Sequence, residues 1–345
     1  MPQEDAVRWI LGSGIQDSSG GVHGFFDSTA GRYNCIYPEA TGYFISACCN
    51  LAHTNAAAME TAKKAARFLM DNMHASGGVY QRIEDGMARQ PLYSFDTGIC
   101  MNGLIELHKA TKDTTYLEFA RKMGDFLVNA SRESGVPYPA IEESNPVLGD
   151  RWSLSYGCHL IKLCMPLYKL HLLTGEEKYL ILVDGILSKQ MKLLDADKFY
   201  VNSKDRTVYM HANLYALEGL AFLDSAGYSD FSGVLPGCAR WVARQQNEDG
   251  SLYNYADGSH GRQKVTDATA QAVRMMIYVD KEKLSDNIGR GLGFLTKMQS
   301  AEKDARSFGG FYYSDSIRHV NSWATFFAMQ AISWNMRGPK PAELI

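Results

Sequence analysis

Apolar and polar positions alternate along this chain with the spacing of amphipathic helices. Apolar residues recur three and four positions apart, the period of a helix that faces a core. Short polar connections, such as 111–116 and 174–179, alternate with long loops, as antiparallel helix pairs require. The pattern predicts twelve helices, over residues 4–13, 41–54, 56–74, 95–110, 114–131, 153–173, 177–192, 210–226, 231–247, 266–279, 282–299 and 320–335.

A landmark recurs six times: a bulky apolar residue near the end of a helix, followed by a loop that carries glycine or tyrosine. The loops include GGVHGFFD from Gly20 and GGFYYSD from Gly309. A period of about 57 residues suits two helices and a long loop, and six such units fill the chain. We therefore expect a closed ring. The landmark residues are Trp9, Phe68, Phe126, Ile186, Trp241 and Phe294.

The two helices of each pair differ in polarity. Even-numbered segments such as 41–54 are apolar on nearly every side, which is typical of a helix buried all round. Odd-numbered segments such as 56–74 keep a charged face toward solvent. The sequence thus predicts an all-α (α/α)6 toroid of six inner and six outer helices, with the long loops at one end. We expect a single domain over residues 1–336, a kink at Pro166 and a loose tail over 337–345.

Three segments resemble the six-hairpin glycosidase superfamily and its relatives: FDTGICMNGLIELHKATKDTTYLEFARKMGDFL (95–127), TGEEKYL (174–180) and HANLYALEGLAFL (211–223). Those relatives include unsaturated glucuronyl hydrolases, N-acylglucosamine 2-epimerases and uronyl C5-epimerases. The resemblance implies a helical toroid that hydrolyses or epimerises a carbohydrate. A weaker resemblance links RQQNEDGSLYN (244–254) to squalene cyclases and protein prenyltransferases. Their aspartate-rich strings and zinc-binding spacing are absent from this sequence.

Acids and imidazoles recur at the first turns of the predicted inner helices. We expect these turns to lie at the long-loop end, and Glu39, Asp96, His211 and Asp267 are the candidate catalytic residues. Carboxylates that share one site cannot all ionise without cost, so at least one pKa should rise, as acid–base chemistry requires. The alternative is that the acids only cap helices, and that the histidines are satisfied core residues.

Aromatic and basic residues of the same regions are candidates for binding a sugar. Tyrosine rings stack on the C–H faces of sugars, and arginine binds a carboxylate through two parallel hydrogen bonds. The candidate substrate-binding residues are Tyr37, Tyr43, Tyr93, His159, Arg262, Tyr312, His319 and Asn321.

Composition narrows the function. The net charge of −3 and pI of 6.3 argue against a nucleic-acid surface, and no apolar run reaches membrane-span length. No motif indicates a cofactor or a metal. Seven cysteines without CxxC spacing, and an N-terminus unlike a signal peptide, indicate the cytoplasm.

We therefore expect a carbohydrate-active enzyme whose partner is a small-molecule or oligosaccharide substrate, an anionic, uronic-acid-containing glycan or glycoconjugate. Glycosidic hydrolysis and epimerisation both stay open. Two alternatives from other classes are a prenyl- or terpenoid-handling toroid and a non-catalytic glycan-binding or scaffold protein. Converging carboxylates would argue against the first, and acids that are not helix caps would argue against the second.

Overall fold

The computed structural model describes residues 2–83, 90–149, 151–258 and 261–345. These residues form twelve α-helices, as the sequence predicts. In chain order the helices are α1 (Pro2–Gly12), α2 (Pro38–Ala52), α3 (Ala56–Asn72), α4 (Ser94–Thr111), α5 (Thr114–Ala130), α6 (Cys164–Thr174), α7 (Glu177–Gln190), α8 (Met210–Ser225), α9 (Leu235–Arg244), α10 (Thr266–Asp280), α11 (Ser285–Met298) and α12 (Ser322–Arg337).

The long loops contain short β-strands that the sequence pattern does not predict. Each has two or three residues, too few for an alternating pattern to be recognised. In chain order they are β1 (Phe25–Asp27), β2 (Arg32–Tyr33), β3 (Val79–Tyr80), β4 (Leu92–Tyr93), β5 (Ala140–Glu142), β6 (Asn145–Val147), β7 (Leu194–Asp195), β8 (Lys198–Phe199), β9 (Leu252–Tyr253), β10 (Lys264–Val265), β11 (Phe311–Tyr312) and β12 (His319–Asn321).

Burial alternates along the helices as their polarity predicts. Every residue of α4 from Ser94 to Leu107 is buried, and so is every residue of α8 from Met210 to Leu223. In α3, by contrast, burial is confined to one apolar stripe that includes Phe68. The all-round apolar helices are therefore the core helices, and the amphipathic ones cover them.

The chain divides into two compact units. The N-terminal unit comprises Gln16–Gly24, Cys35–Lys192 and Ile345. In it α2 packs against α3 and α4, α4 against α5, and α6 against α7. Strands β3, β4, β5 and β6 form one antiparallel sheet in that order. Because β4 runs directly into α4, this sheet fixes where the first turn of α4 lies.

The C-terminal unit comprises Met1–Ile15, Phe25–Asn34 and Leu193–Leu344. Its central helix is α10, which packs against α8, α9, α11 and α12, and α1 packs against α12. The strand order of its largest sheet is β11-β12-β1-β2, and β9–β10 and β7–β8 form two hairpins. The prediction of a single domain over residues 1–336 stays a prediction.

A pair of glycines, Gly309 and Gly310, allows a long loop to pack closely against the outer helix α1. Gly309 has a φ of +88°, and a Cβ there would lie 2.3 Å from the carbonyl oxygen of Asp5. A Cβ at Gly310 would lie 2.7 Å from the Trp9 ring. The loop of the sixth repeat therefore packs on the landmark of the first helix. Only glycine allows this approach, which explains the recurring Gly-Gly pairs.

The third inner segment differs from its predicted form. The sequence predicts one helix over 153–173, but α6 begins at Cys164 and is preceded by the 3₁₀-helices Trp152–Leu154 and Cys158–Leu163. Pro166 lies in the first turn of α6 and has no N–H to donate to the carbonyl of Lys162. The α-helical ladder is interrupted there, so the predicted kink is in fact a change of helix type.

The C-terminal residues are not loose, contrary to the sequence prediction. Pro341–Glu343 forms a 3₁₀-helix, and Leu344 and Ile345 are 0% and 1% exposed. Burial of two large apolar side chains is favourable enough to order this short segment.

Candidate active site

Two glycines bring α2 and α4 of the N-terminal unit into close contact. A Cβ at Gly42 would lie 2.8 Å from the Cα of Cys100, and one at Gly103 would lie 2.7 Å from the carbonyl oxygen of Gly42. The two backbones therefore approach with no side chain between them. Glu39 and Asp96 lie in the first turns of these two helices.

Asp96 is buried without being a helix cap. Tyr93 occupies the N-cap position of α4 and makes no side-chain capping bond. The Asp96 side chain is 4% exposed, and its Oδ2 has no hydrogen-bond partner. Burial, and next the charge of Glu39, raise the pKa of Asp96 well above its usual range. The fold therefore favours the protonated form of this carboxyl group.

The pKa of Glu39 is also raised. Its side chain is half-buried, and burial raises its pKa to about 7. Hydrogen bonds from Tyr37 and Tyr43, and the charge of Lys162, oppose that rise. Burial thus raises the pKa of both carboxyl groups, and the charge of Glu39 raises that of Asp96 further, which are shifts of the kind that acid–base chemistry uses.

Lys162 is a member of this cluster that the sequence analysis missed. It is fully buried, and its Nζ donates a hydrogen bond of 2.7 Å to the oxygen of Ile345. The same Nζ lies 5.8 Å from the centre of the Tyr43 ring. A lysine inside the apolar run HLIKLCM was the available signal, because an unpaired buried charge is costly and so usually has a function or a partner.

The raised pKa of Glu39 predicts how stability depends on pH. The fold favours neutral Glu39, so its stabilising contribution is complete below pH 4.5 and is lost as the pH rises through about 7. We expect Glu39→Gln to be more stable than the wild type by about 1–3 kcal/mol at pH 8, and by much less at pH 5. Urea unfolding at the two pH values measures this.

Glu60→Gln is the matched control, because Glu60 is an exposed glutamate on α3. We expect its stability difference from the wild type to be small and equal at both pH values. An equal difference at both pH values for Glu39→Gln as well would show that the fold does not disfavour ionised Glu39.

Two other predicted residues lie in the N-terminal unit. Burial raises the pKa of Tyr93, while the charges of Arg151 and Arg82 lower it and that of Asp96 raises it. The Tyr93 hydroxyl is therefore within electrostatic range of both the acid and two exposed arginines. His159 is 1% exposed, and its ring contacts those of Phe95 and Trp152 at centroid distances of 5.4 and 5.0 Å.

The C-terminal unit holds a second polar cluster around His211 and Asp267. His211 Nδ1 lies 2.6 Å from Gln271 Oε1 and 3.6 Å from Asp267 Oδ2. Asp267 accepts hydrogen bonds from the Ala268 N–H at 2.7 Å and from Trp323 Nε1 at 3.2 Å. Its side chain thus satisfies one free N–H of the first turn of α10, and it also fixes an indole. The sequence analysis did not predict Gln271. Its position one helical turn after Asp267, which places both side chains on the same face of α10, was the available signal.

Tyrosines surround Asp267 in the same unit. The pKa of Tyr209 is raised by burial, then by the charges of Tyr313 and Asp267. The rings of Tyr209 and Tyr255 lie 4.9 Å apart. Such a cluster combines stacking faces with hydroxyl groups, the composition typical of sugar-binding surfaces.

The remaining predicted binding residues make contacts within the C-terminal unit. The Tyr312 hydroxyl donates to Glu302 Oε1 at 2.6 Å. Asn321 is the N-cap of α12, and its Oδ1 accepts from the Ala324 N–H at 2.9 Å. Asn321 therefore caps α12, and a binding role for it stays a prediction.

His319 is half-buried, whereas Arg262 is exposed. The His319 ring stacks on that of Phe25 at 4.0 Å, and its Nε2 lies 3.7 Å from Asp27 Oδ2. Arg262 is exposed, and contact with a substrate stays a prediction for it.

Within residues 2–83, 90–149, 151–258 and 261–345, no group of three or more histidine, cysteine, aspartate or glutamate residues is arranged to hold a metal ion. No helix in those ranges is long and apolar enough to cross a membrane.

Comparison with known proteins establishes the fold class. No family model matches the chain, and no curated protein matches its sequence. Among solved structures, the cellobiose 2-epimerase from Spirochaeta thermophila is 17% identical with a TM-score of 0.75, over 97% of this chain and 95% of that one. An unsaturated glucuronyl hydrolase specific for heparin is 11% identical with a TM-score of 0.74, over 98% of each chain.

A sugar epimerase from a ruminal bacterium is 15% identical with a TM-score of 0.76, over 99% of this chain and 100% of that one. These proteins are (α/α)6 toroid enzymes, and the present chain has the same fold class, as its sequence predicts. Structural similarity at this low sequence identity establishes the fold only, and the reaction has to be argued from the residues of the site.

Proposed function

We propose that this protein is a carbohydrate-active enzyme that acts on an anionic, uronic-acid-containing glycan or glycoconjugate. The observation that carries the proposal is the Glu39–Asp96 pair, in which burial raises both pKa values and the charge of Glu39 raises that of Asp96 further. The structural neighbours include hydrolases and epimerases of sugars, which supports a carbohydrate as the substrate class.

The pair has the properties needed for either of two reactions. In hydrolysis, Asp96 would protonate the leaving oxygen while Glu39 activates a water molecule. In epimerisation, Glu39 would remove a proton from the carbon beside a carbonyl or carboxylate group. In both cases kcat/KM should rise with pH through about 7 as Glu39 ionises.

The charges around Tyr93 support an anionic substrate. Arg82 and Arg151 are exposed, and both act electrostatically on the Tyr93 hydroxyl, as Asp96 does. A sugar carboxylate bound by either guanidinium would lie near the acid pair of the same unit. In the C-terminal unit, His211 and Asp267 remain candidates for proton transfer, and the surrounding tyrosines are candidates for sugar binding.

The two alternatives predicted from the sequence have less support. A scaffold protein would use its acids as caps. Asp267 does accept from a first-turn N–H of α10, but Tyr37 and Tyr93, not Glu39 and Asp96, occupy the N-cap positions of α2 and α4. A terpenoid cavity would lack coupled carboxylates, whereas Glu39 raises the pKa of Asp96.

A cytoplasmic location stays part of the proposal. All seven cysteines are free, and all except Cys35 are buried, which suits a reducing compartment.

The test is substitution of the two arginines, measured on a uronate oligosaccharide and on its carboxyl-reduced counterpart. Because a hydrogen bond to a charged group contributes roughly 1.5–3 kcal/mol, and less when exposed, we expect Arg82→Gln or Arg151→Gln to raise KM for the uronate about tenfold. We expect kcat to change little.

Arg67→Gln, on the outer helix α3, is the matched control and should leave KM unchanged. Equal turnover of the uronate and its reduced counterpart by the wild type would contradict the anionic substrate. So would an unchanged KM in both arginine variants.

A further inference from the structure

A chain of buried hydrogen bonds leads from Arg274 to His211. Arg274 and Glu218 are both 0% exposed, and Arg274 Nη2 donates to Glu218 Oε1. Glu218 Oε2 accepts from Gln271 Nε2 at 3.2 Å, and Gln271 Oε1 faces His211 Nδ1 at 2.6 Å. The chain joins α8 to α10, because His211 and Glu218 lie on the first helix and Gln271 and Arg274 on the second.

The ion pair fixes the direction of this chain. A carboxylate paired with a guanidinium accepts hydrogen bonds and has none to donate. Glu218 therefore requires an N–H from the Gln271 amide. If that amide were turned round, two oxygens would face each other in a fully buried site, which is costly. Gln271 must consequently present its oxygen to the imidazole.

The direction of the chain then fixes the tautomer of His211. Nδ1 faces the amide oxygen of Gln271, and the second atom near it, Asp267 Oδ2 at 3.6 Å, is also an acceptor. A nitrogen between two acceptors carries the proton. In the neutral ring the other nitrogen, Nε2, then holds the lone pair. Asp267 can also stabilise the imidazolium that forms when Nε2 takes up a proton.

We propose that Gln271 is a positioning residue that holds His211 in the Nδ1–H tautomer and so makes Nε2 the proton-accepting atom. Its consequence for turnover rests on the proposed function: Nε2 takes one proton from the sugar or from water and later returns it, while the Nδ1 proton stays in place. Arg274 acts on His211 only through Glu218 and Gln271. An amide in this role orients the ring without itself taking up a proton.

The opposite end of the network supplies a matched control. Arg274 Nη1 donates to Gln330 Oε1 at 2.6 Å, and Gln330 Nε2 donates to the carbonyl of Glu343 at 2.7 Å. Gln330 is thus a second buried glutamine that binds Arg274, on α12, and its hydrogen bonds do not involve His211. Gln271→Leu and Gln330→Leu remove the same group from the same network, but only the first removes the acceptor at Nδ1.

The tautomer is measured by ¹⁵N NMR of histidine-labelled protein, with the His211 signals assigned from their loss in His211→Gln. In the wild type we expect Nδ1 to be protonated and Nε2 to be bare above the pKa of the ring. We expect Gln271→Leu to give a mixture of tautomers and Gln330→Leu to keep the wild-type pattern. A proton on Nε2 in the wild type would overturn the inference, and that outcome is read from the wild type whether or not Gln271→Leu folds.

Measurement of kcat distinguishes a positioning role of Gln271 from a purely structural one. Because acid–base assistance is worth about 10²–10⁴ in rate, we expect Gln271→Leu to lower kcat by about 10² or more with little change in KM. Gln330→Leu should keep kcat. An unchanged kcat in Gln271→Leu, together with a mixed tautomer, would overturn the positioning role. Absence of turnover in the wild type with every sugar would instead contradict the proposed function, since the tautomer is measured independently.

Discussion

Asp96→Asn is expected to lower kcat by about 10²–10⁴ while the melting temperature stays the same or rises. Asparagine keeps the shape of the buried side chain and removes the proton that Asp96 would donate. Burial and Glu39 already disfavour the charged form of Asp96, so loss of the carboxylate removes nothing that stabilises the fold. Kinetics and thermal unfolding on the same preparations measure both effects.

Asp113 provides the control for a helix cap. It is the N-cap of α5, and its side chain accepts from the Thr115 N–H at 2.9 Å. Asparagine caps about as well as aspartate, so Asp113→Asn should change little and Asp113→Ala should lower the melting temperature. If Asp96→Asn keeps full activity and Asp96→Ala only lowers stability, Asp96 has a structural role and the assignment is wrong.

Arg274→Met is expected to cost about 3–5 kcal/mol of stability, the largest effect on the fold that we predict. The substitution removes the guanidinium that pairs with Glu218, whose side chain is fully buried in α8. It also removes the donor to Gln330 and the cation 4.5 Å from the Phe327 ring. Chemical denaturation measures the change in the free energy of unfolding.

Two further variants isolate the buried charge as the cause. Adding Glu218→Leu to Arg274→Met should recover part of the loss, because the uncompensated carboxylate is then removed. Arg244→Met breaks an exposed pair, with 3.6 Å between Arg244 Nη2 and Asp197 Oδ2, and should change stability little. Equal stability of Arg274→Met and Arg244→Met would show that the buried pair does not contribute as argued.

The helices were predictable because their signals are long and local. The apolar period of α4 and α8 extends over several turns, and Gly-Gly pairs at Gly20, Gly77 and Gly309 mark three of the six loops that follow outer helices. The short strands were not predictable, since pairs such as β4 with β5 join residues from different loops. The change of helix type before Pro166 was not predictable either, because it depends on the position of a single missing N–H group within the helix.

The candidate site was predictable only in part. First-turn position singled out Glu39 and Asp96, but sequence alone could not tell whether Asp96 is a helix cap. The backbone shows that it is not the N-cap of α4, because that position falls at Tyr93. Lys162 and Gln271 were missed because their relevance comes from tertiary neighbours: the former acts on Glu39, and the latter contacts His211.

The central claim is that the Glu39–Asp96 pair turns over a uronate glycan, and one experiment tests it directly. Wild type and Asp96→Asn are incubated with a panel of uronate oligosaccharides in heavy water, and the products are followed by mass spectrometry. We predict that the wild type either cleaves one of them, which indicates hydrolysis, or incorporates deuterium without cleavage, which indicates epimerisation. Asp96→Asn should do so at least about 10² more slowly. No change in any uronate with the wild type, or equal rates for the two proteins, would contradict the claim.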